Sequence, residues 1–418
     1  MDDLNIAILG AEAWNFDDIR LAGTLIEELS HFSRCTFTLQ DNVDCDTDAA
    51  FLINGDESTL ANLAYAYDHF IPVVAFKRSG GLASQVADSY LDERGLTRIR
   101  SAHIDTAIRD LANLGLNRRA FAERLATVDL DFDIYRTKPK RFIRINPRDP
   151  ISISELEKAL SEVAQEDVSF EHTGLEGIFV SSTHKIGGKV FGEKNPLFGK
   201  HYFIQDAASA FAVYALDLQP GQSMLDMCAA PGMKTILAHD SVGGDVKSVA
   251  LDRDVDRFYR MRQRFAEHGV AIETLRMDAT QYTGPKYDRI LVDVPCSREG
   301  MTVRYHRKLR TVISGFDSVL QVSEAKVRGG NFLRRDLLNN AYDHLKVGGM
   351  LVYATCSVNK IENDSVVSDF LRSNPGAVVD LVDIPTPFFA YERSVIGVRV
   401  MPGQTRGLYF TRIRKVNE

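Results

Sequence analysis

The stretch from Gln222 to Thr235, QSMLDMCAAPGMKT, decides the fold class of this 418-residue chain. Its first part, Ser223 to Met227, is predicted to form a strand. A loop of small residues comes next: Cys228, Ala229, Ala230, Pro231 and Gly232. A helix is predicted to begin at Met233 and Lys234. Small residues let a ligand approach the backbone, and a helix amino terminus favours its negative part, so we expect a cofactor loop here.

Two acidic residues end the strands that follow this loop. SVALDRD ends a second strand at Asp252, where an α/β nucleotide site places a carboxylate on ribose hydroxyls. Arg257, one helical turn later, is predicted to steady that carboxylate. Asp278 follows a further strand and is predicted to accept a hydrogen bond from an adenine amine. A strand end, a gap and a second acidic strand end predict a cofactor site in an α/β sheet.

Two further strands end near cysteines. YDRILVDVPCS leads to Asp293 and Cys296, and GMLVYATCSVNKIEN places Cys356 at the end of a strand, followed by a helix predicted to begin near Lys360 or Glu362. Ligands bind at the carboxyl ends of such strands. A single cysteine is usually a small buried hydrophobe, and that interpretation stays open for Cys356 taken alone. Two thiols at two strand ends of one sheet instead indicate a catalytic role for the cysteines.

The composition limits the function classes. A formal net charge of −7 excludes a globally basic nucleic-acid binder but leaves local patches open. The five cysteines show no CxxC spacing, so neither a disulfide framework nor a metal site is predicted. No apolar run approaches the ~20 residues that span a bilayer. The acidic start, MDDLNIAILG, enters a strand-like run at once, so we expect a cytoplasmic protein without a transit peptide.

The amino-terminal third, residues 1–117, alternates strand-like and helical runs, which predicts a separate doubly wound α/β domain with a parallel sheet. It resembles the SLOG-type Rossmann-like domains, which bind nucleotides or nucleotide-derived ligands. Ser79, Gly80 and Gly81 lie between a strand-like run and the next helix, where backbone N–H groups hold phosphates in other proteins. The alternative is that the two glycines only permit a tight turn.

A basic segment follows a proline-containing linker, which we place at residues 118–139. Residues 140–200 read as strand, helix, strand and strand, a small α+β domain. Lys140, Arg141 and Arg144 alternate with Phe142 and Ile143, and basic residues beside stacking residues are typical of a single-stranded nucleic-acid groove. The alternative is a solvated charged face. The pattern predicts local RNA contact.

The carboxyl-terminal two thirds, from about Lys140 onward, resemble a known family, the Sun-domain (RsmB or Fmu type) S-adenosylmethionine-dependent RNA cytosine-C5 methyltransferases. The motifs that carry the resemblance are FIQDAASAFA, DMCAAPGMKT, LDRD, DVPCS and ATCSVNKIEND. The resemblance implies that Cys356 is the nucleophile and that Cys296 assists product release. It implies that S-adenosyl-L-methionine is held by the loop Cys228–Lys234 and by three carboxylates, Asp252, Asp278 and Asp293.

The same resemblance implies a class I Rossmann-like methyltransferase domain at 201–418, preceded by an RNA-recognition-like domain at 140–200. The expected substrate is a cytosine in rRNA or tRNA, in a loop or single strand, because the base must be unstacked to be reached. Addition of a thiolate at C6 makes C5 reactive, and Asp293 is expected to hydrogen-bond the base edge.

The chain also departs from the family pattern. Met233 stands where many members have a second glycine, Val294 replaces a common proline, and Arg298 follows Ser297 where a glycine is usual. The stretch from Arg298 to Gly330 is longer and more basic than expected. Its candidate RNA contacts are Arg304, Arg307 and Lys308. A competing hypothesis is a catalytically idle RNA-binding or ribosome-assembly factor that keeps the methyltransferase fold.

Overall fold

The structure, a computed structural model, describes the side chains of residues 116–130, 139–182, 191–192, 195–300, 322–380, 382 and 390–417, and elsewhere the backbone of six strands. The strands are β1 (Leu4–Leu9), β2 (Cys35–Leu39), β3 (Ala49–Leu52), β4 (Val73–Ala75), β5 (Phe142–Ile145), β6 (Phe170–His172), β7 (Ile178–Ser181), β8 (Tyr202–Ile204), β9 (Gln222–Asp226), β10 (Val246–Leu251), β11 (Glu273–Leu275), β12 (Tyr287–Asp293), β13 (Val303–His306), β14 (Thr311–Ser314), β15 (Leu345–Thr355), β16 (Ala377–Val379), β17 (Tyr391–Arg393), β18 (Val398–Val400) and β19 (Leu408–Lys415). The helices are α1 (116–126), α2 (Ile153–Ala164), α3 (Ala207–Tyr214), α4 (Met233–Ser241), α5 (Val255–Glu267), α6 (Glu324–Asp343) and α7 (Asp364–Ser373), with 3-10 turns at Ala279–Gln281 and Glu299–Met301.

The chain forms two compact units, one of Met1–Arg136 with Thr302–Lys326 and the other of Thr137–Met301 with Val327–Glu418. In the first unit, β1 to β4 form a parallel sheet in the order β2-β1-β3-β4. The connections that the sequence predicts as helices, and the turn at Ser79 to Gly81, lie outside the described residues. β13 and β14 form an antiparallel pair in the same unit.

Part of the segment predicted as a linker is a packed helix. Residues 116–126 are helical, and Phe121 and Leu125 on this helix are at most 1% exposed. Two apolar residues four positions apart lie on one helical face, and this face packs, which explains why the start of the predicted linker is helical. The predicted domain boundaries themselves stay a prediction.

In the second unit, β5 to β8 form an antiparallel sheet in the order β6-β7-β5-β8. Its strand, helix, strand, strand order is the one predicted for residues 140–200, and its fourth strand, β8, comes just after that range. Helix α2 begins with a capping box in which Ser152 and Glu155 satisfy each other's backbone N–H groups. Leu156 and Leu160 on this helix pack against Ile143 in the core of the small sheet.

The larger sheet has the order β11-β10-β9-β12-β15-β19-β18-β17, with β16 pairing to β19. Strands β9 to β12 and β15 are parallel, and β19 runs antiparallel to β15. Residues 351–354 of β15 are fully buried, because α-helices cover both faces of such a sheet. The chain leaves β9 toward β10 on one side and returns with β12 on the other. This reversal creates a crevice at the carboxyl ends of β9 and β12.

Two local details position the crevice. Asp254 caps helix α5 by accepting a hydrogen bond from the Arg257 N–H at 2.9 Å. Helix α7 begins at Asp364, later than the predicted Lys360 or Glu362, because the Asn359 side chain accepts from the Glu362 N–H and holds the intervening residues in a turn. Among the described residues, no helix is long and apolar enough to cross a membrane.

Candidate active site

Two thiols meet at the carboxyl edge of the large sheet. Cys296 comes shortly after β12 and Cys356 directly after β15, and these strands are parallel neighbours. The two Sγ atoms are 3.2 Å apart, a hydrogen-bond contact well beyond the ~2.05 Å of a disulfide. The hydrogen bond with Cys356 and burial raise the pKa of the Cys296 thiol well above its ordinary value. A raised pKa keeps the Cys296 thiol protonated, so we assign its S–H as the donor and the Cys356 sulfur as the acceptor.

A cation lies close enough to Cys356 for the two groups to interact electrostatically. Lys234, in the first turn of α4, donates from Nζ to Oδ2 of Asp293 at 2.7 Å. Burial lowers the pKa of Lys234, but the charge of Asp293 and its hydrogen bond outweigh burial, and the sulfur of Cys356 acts in the same direction, so that the pKa is raised overall. Lys234 therefore stays an ammonium, and a nearby positive charge favours a thiolate.

The predicted cofactor loop runs between β9 and α4. Gly232 precedes α4 with φ +99°, a conformation that favours glycine, and its N–H donates to the Ala229 carbonyl at 2.7 Å. A Cβ built on Gly232 would lie 2.7 Å from Cε1 of Phe265, so any other residue there has to displace the Phe265 ring. Burial raises the pKa of the Cys228 thiol, and neighbouring carboxylates add to the effect. Cys228 is thus a neutral, packed loop residue.

Asp226, the last residue of β9, is a buried carboxylate that the sequence analysis did not select. It is 1% exposed and accepts a hydrogen bond from the Thr235 hydroxyl at 2.7 Å. Burial raises the pKa of Asp226 to about 7, against the lowering effect of the Thr235 hydrogen bond. The available signal in the sequence was an acidic residue at the end of a strand, directly before the loop of small residues.

The other two predicted cofactor carboxylates follow β10 and β11. Asp252 is 5% exposed; its Oδ2 accepts from the Ala230 N–H at 3.2 Å and lies 3.6 Å from Nη2 of Arg257. Arg257 also donates to the Ala230 carbonyl. Asp278 accepts from the backbone and hydroxyl of Thr280, and the backbone bond is the main reason that its pKa is lowered. These contacts hold Asp252 beside the loop and fix Asp278 at the turn that follows β11.

The predicted RNA contacts differ in their surroundings. Lys140 and Arg141 are partly exposed, and the Arg141 guanidinium lies 5.2 Å from the Phe191 ring centroid. Arg144 is only 2% exposed and donates to Oδ2 of Asp240 at 2.6 Å, while Phe142 is 2% exposed. The prediction of Arg144 as an RNA contact and of Phe142 as a stacking residue therefore does not hold in this structure, because both side chains belong to the interior.

The remaining basic candidates lie in the stretch after the Cys296 segment. Arg304 lies in β13, of which the structure describes the backbone alone. Arg307 and Lys308 lie outside the described residues. Among the described residues, no group of three or more His, Cys, Asp or Glu side chains is arranged to hold a metal ion.

Comparison with known proteins shows which family has a similar sequence. A family model described as 16S rRNA methyltransferase RsmB/F matches residues 213–414. The tRNA (cytosine(49)-C(5))-methyltransferase of Pyrococcus abyssi is 30% identical over 315 residues, which cover 71% of this chain and 96% of that protein. This chain belongs to the RsmB/F family.

Other RsmB/F relatives match over a shorter range. The probable ribosomal RNA small subunit methyltransferase B of Coxiella burnetii is 34% identical over 232 residues, 53% of this chain. The chain spans 50% of the length of that protein and 38% of the Pseudomonas putida ribosomal RNA small subunit methyltransferase B.

Solved structures share the class I methyltransferase fold that the sequence predicts. NSun6 from Pyrococcus horikoshii, solved with SFG, an analogue of S-adenosylmethionine, has a TM-score of 0.55 at 16% identity, over 74% of this chain and 98% of that chain. A methyltransferase homologue from the same organism has a TM-score of 0.53 at 21% identity, over 80% and 100% of the two chains. These similarities confirm the fold.

The RsmB/F loop of this chain fits a nucleoside cofactor such as S-adenosylmethionine. The short side chains of Ala229 and Ala230 keep the loop thin, and the Asp252 carboxylate is fixed next to it by the Ala230 N–H. The backbone conformation at position 298 favours the glycine that is usual there. Arg298 has φ +62°, the left-handed region where glycine is favoured, so the arginine carries a backbone cost that the usual glycine avoids.

Proposed function

We propose that this protein methylates C5 of a cytosine in rRNA or tRNA, with S-adenosyl-L-methionine as methyl donor and Cys356 as nucleophile. The observation that carries the proposal is the pairing of the Cys356 and Cys296 sulfurs at 3.2 Å beside the Lys234 ammonium. When bound, the cofactor supplies an electrophilic methyl group. The loop Cys228–Lys234 with Asp252, Asp278 and Arg257 is the proposed cofactor site.

The side chains divide the chemistry as follows. Cys356 adds to C6 of the base as a thiolate, which is favoured by the hydrogen bond from Cys296 and by the charge of Lys234. Lys234 holds Asp293, so that one Asp293 carboxylate oxygen is fixed and the other is directed to the base edge. After methyl transfer, a water that the Cys296 thiol holds takes up the C5 proton. Cys356 then leaves as a thiolate, which again accepts the hydrogen bond from the Cys296 thiol.

The RNA is proposed to approach this edge of the sheet as a loop or single strand, because the target base has to leave its stack. Lys140 and Arg141 remain the proposed contacts on the small sheet, and Arg304, Arg307 and Lys308 those in the basic stretch. Arg144 is not included, because its guanidinium is buried against Asp240.

Substitution of each cysteine tests the roles. Cys356→Ala is expected to abolish methylation and covalent capture, whereas Cys296→Ala accumulates a denaturant-resistant RNA adduct, because the nucleophile still adds but the adduct is not resolved. The measurement is transfer of a labelled methyl group and gel mobility of the denatured protein with RNA. Cys35→Ala, in the separate amino-terminal sheet, is the control and keeps full activity.

Two results would contradict the proposal. An active Cys356→Ala protein together with a Cys296→Ala protein that forms no adduct would reverse the roles. Calorimetry that detects no binding of S-adenosylmethionine to the wild type would favour the idle RNA-binding factor instead. The RNA target is then named by bisulfite sequencing of cellular RNA with and without the protein.

A further inference from the structure

A buried ion pair lies under the two cysteine segments. Glu362 is fully buried, Arg334 on α6 is 4% exposed, and Nη2 of Arg334 donates to Oε1 of Glu362. Neither residue was predicted as a site residue, and neither touches a sulfur atom in the described contacts. The role of this ion pair therefore differs from that of the groups proposed to act on the base.

The pair holds the Cys296 segment from both sides of the cysteine. Nε of Arg334 donates to the Pro295 carbonyl at 3.0 Å. Glu362 accepts from the Ser297 N–H at 2.9 Å and from the Ser297 hydroxyl at 2.5 Å. The residues immediately before and after Cys296 are thus each bonded to one member of the pair.

The same carboxylate is built into the Cys356 segment. Its Oε2 accepts from Nδ2 of Asn359 at 2.9 Å, and the Glu362 N–H donates to Oδ1 of Asn359 at 2.9 Å. The Tyr353 hydroxyl, from the end of β15, donates to the Glu362 carbonyl at 2.7 Å. These hydrogen bonds fix Glu362 relative to the Cys356 segment, and its carboxylate then links this segment to Ser297 of the Cys296 segment.

A contribution to folding stability does not by itself explain why a buried ion pair is present here. Two charges lose their hydration when they are buried, and well-packed apolar residues of similar size are often equally stabilising. What apolar residues lack is direction, whereas the fork of Arg334 bonds Pro295 and Glu362 in a fixed geometry. The contact that this geometry sets is the one between the sulfurs, where a shift of about 1 Å is costly to a reaction.

We propose that the Arg334–Glu362 pair is a positioning device that holds the Cys296 segment against the Cys356 segment and so keeps the two sulfurs within hydrogen-bonding distance. Its effect on sulfur geometry is independent of catalysis. Its effect on turnover rests on the proposed function.

Thiol bridging measures the geometry without any methylation. Diamide takes up two protons and two electrons from two nearby thiols and leaves a disulfide. In wild-type protein the Cys296–Cys356 disulfide is expected to form rapidly, and mass spectrometry detects it as the loss of two hydrogens from the joined peptides. In Arg334→Gln and Glu362→Gln proteins the bridging rate is expected to fall about tenfold, the equivalent of one lost hydrogen bond to a charged group.

Arg289 provides the matched control. Its side chain is 8% exposed, and it donates to the Asp217 carbonyl at 2.9 Å from the opposite end of β12. Arg289→Gln also removes a buried guanidinium, so it lowers thermal stability, but it leaves the bridging rate at the wild-type value. Where a single variant does not fold, the Arg334→Met/Glu362→Gln double variant removes the unpaired charge and is expected to bridge as slowly as the single variants.

Turnover gives the second readout. The folded Arg334 and Glu362 variants are expected to lose about tenfold in kcat with KM for RNA unchanged, and to accumulate the covalent adduct, because Cys296 no longer faces Cys356. Wild-type bridging rates in these variants would overturn the positioning role. Slow bridging in variants of a protein that never methylates RNA would leave the positioning role standing and defeat the proposed function.

Discussion

Gly232→Ala tests how far the cofactor loop depends on close packing. The alanine would adopt φ +99°, at a cost of about 1–2 kcal/mol for a residue with a Cβ. Its Cβ would also lie 2.7 Å from Cε1 of Phe265 and 3.2 Å from Cγ of Met261, two buried side chains of α5. Overpacking of this kind costs about 1–3 kcal/mol. The expected loss in the free energy of unfolding is therefore about 2–5 kcal/mol.

Gly221→Ala is the matched control. Gly221 has φ +80°, but a Cβ there would meet no atom within 4 Å, so the backbone cost of about 1–2 kcal/mol stands alone. Urea unfolding of both variants isolates the packing contribution, and calorimetry with S-adenosylmethionine is expected to show weaker binding only for Gly232→Ala. Equal unfolding losses in the two variants, with equal cofactor binding, would refute the reasoning.

Three more predictions concern charged residues around the site. Arg298→Gly is expected to raise the free energy of unfolding by about 1 kcal/mol in urea titrations, because the left-handed backbone then carries no Cβ cost. Asp226→Asn is expected to remove a pH dependence of the free energy of unfolding. The pKa of Asp226 is raised to about 7, so its contribution to stability is complete below about pH 4 and is lost as the pH rises through 7. Thermal unfolding at several pH values measures this change. Lys234→Met is expected to lower methyl transfer about a hundredfold, because Asp293 loses its charge-assisted hydrogen bond.

Each of these predictions has its own contrary result. A destabilised Arg298→Gly protein would show that the arginine side chain makes a compensating contact. An Asp226→Asn protein whose stability falls with pH as steeply as the wild type would show that Asp226 is ionised throughout. Full activity in Lys234→Met protein would remove Lys234 from the proposed mechanism, and a Lys234→Arg variant, which keeps the charge, is the control for loss of the ion pair.

The sequence predicted the fold class and the family because the signals for both lie in short stretches of the chain. A strand, a loop of small residues and a helix start lie within Gln222 to Thr235, and an acidic residue directly follows the next strand at Asp252. Strand periodicity, turn residues and helix starts act over a few neighbouring positions, so they can be recognised without knowing how the chain packs. The resemblance to the RsmB/F family rests on the same short motifs and is confirmed by the comparisons.

The sequence was less reliable where a role depends on distant neighbours. Arg144 lies in a run of basic residues, yet its guanidinium is buried against Asp240, 96 positions later. Such a run looks the same whether its side chains face solvent or an acidic residue on another element. The charge pattern alone therefore did not identify the interior arginine.

The sequence by itself determined the strand ends, the small-residue loop and the presence of a thiol after each of two strands. Only the tertiary structure decided that Cys296 and Cys356, 60 positions apart, lie 3.2 Å from each other, and that Arg334 and Glu362, 28 positions apart, form the buried pair beneath them. The physical reason is that these contacts arise from the pairing of β12 with β15 and the packing of α6 on both segments. A hydrogen bond between such residues is set by the geometry of the whole sheet and is absent from any local pattern.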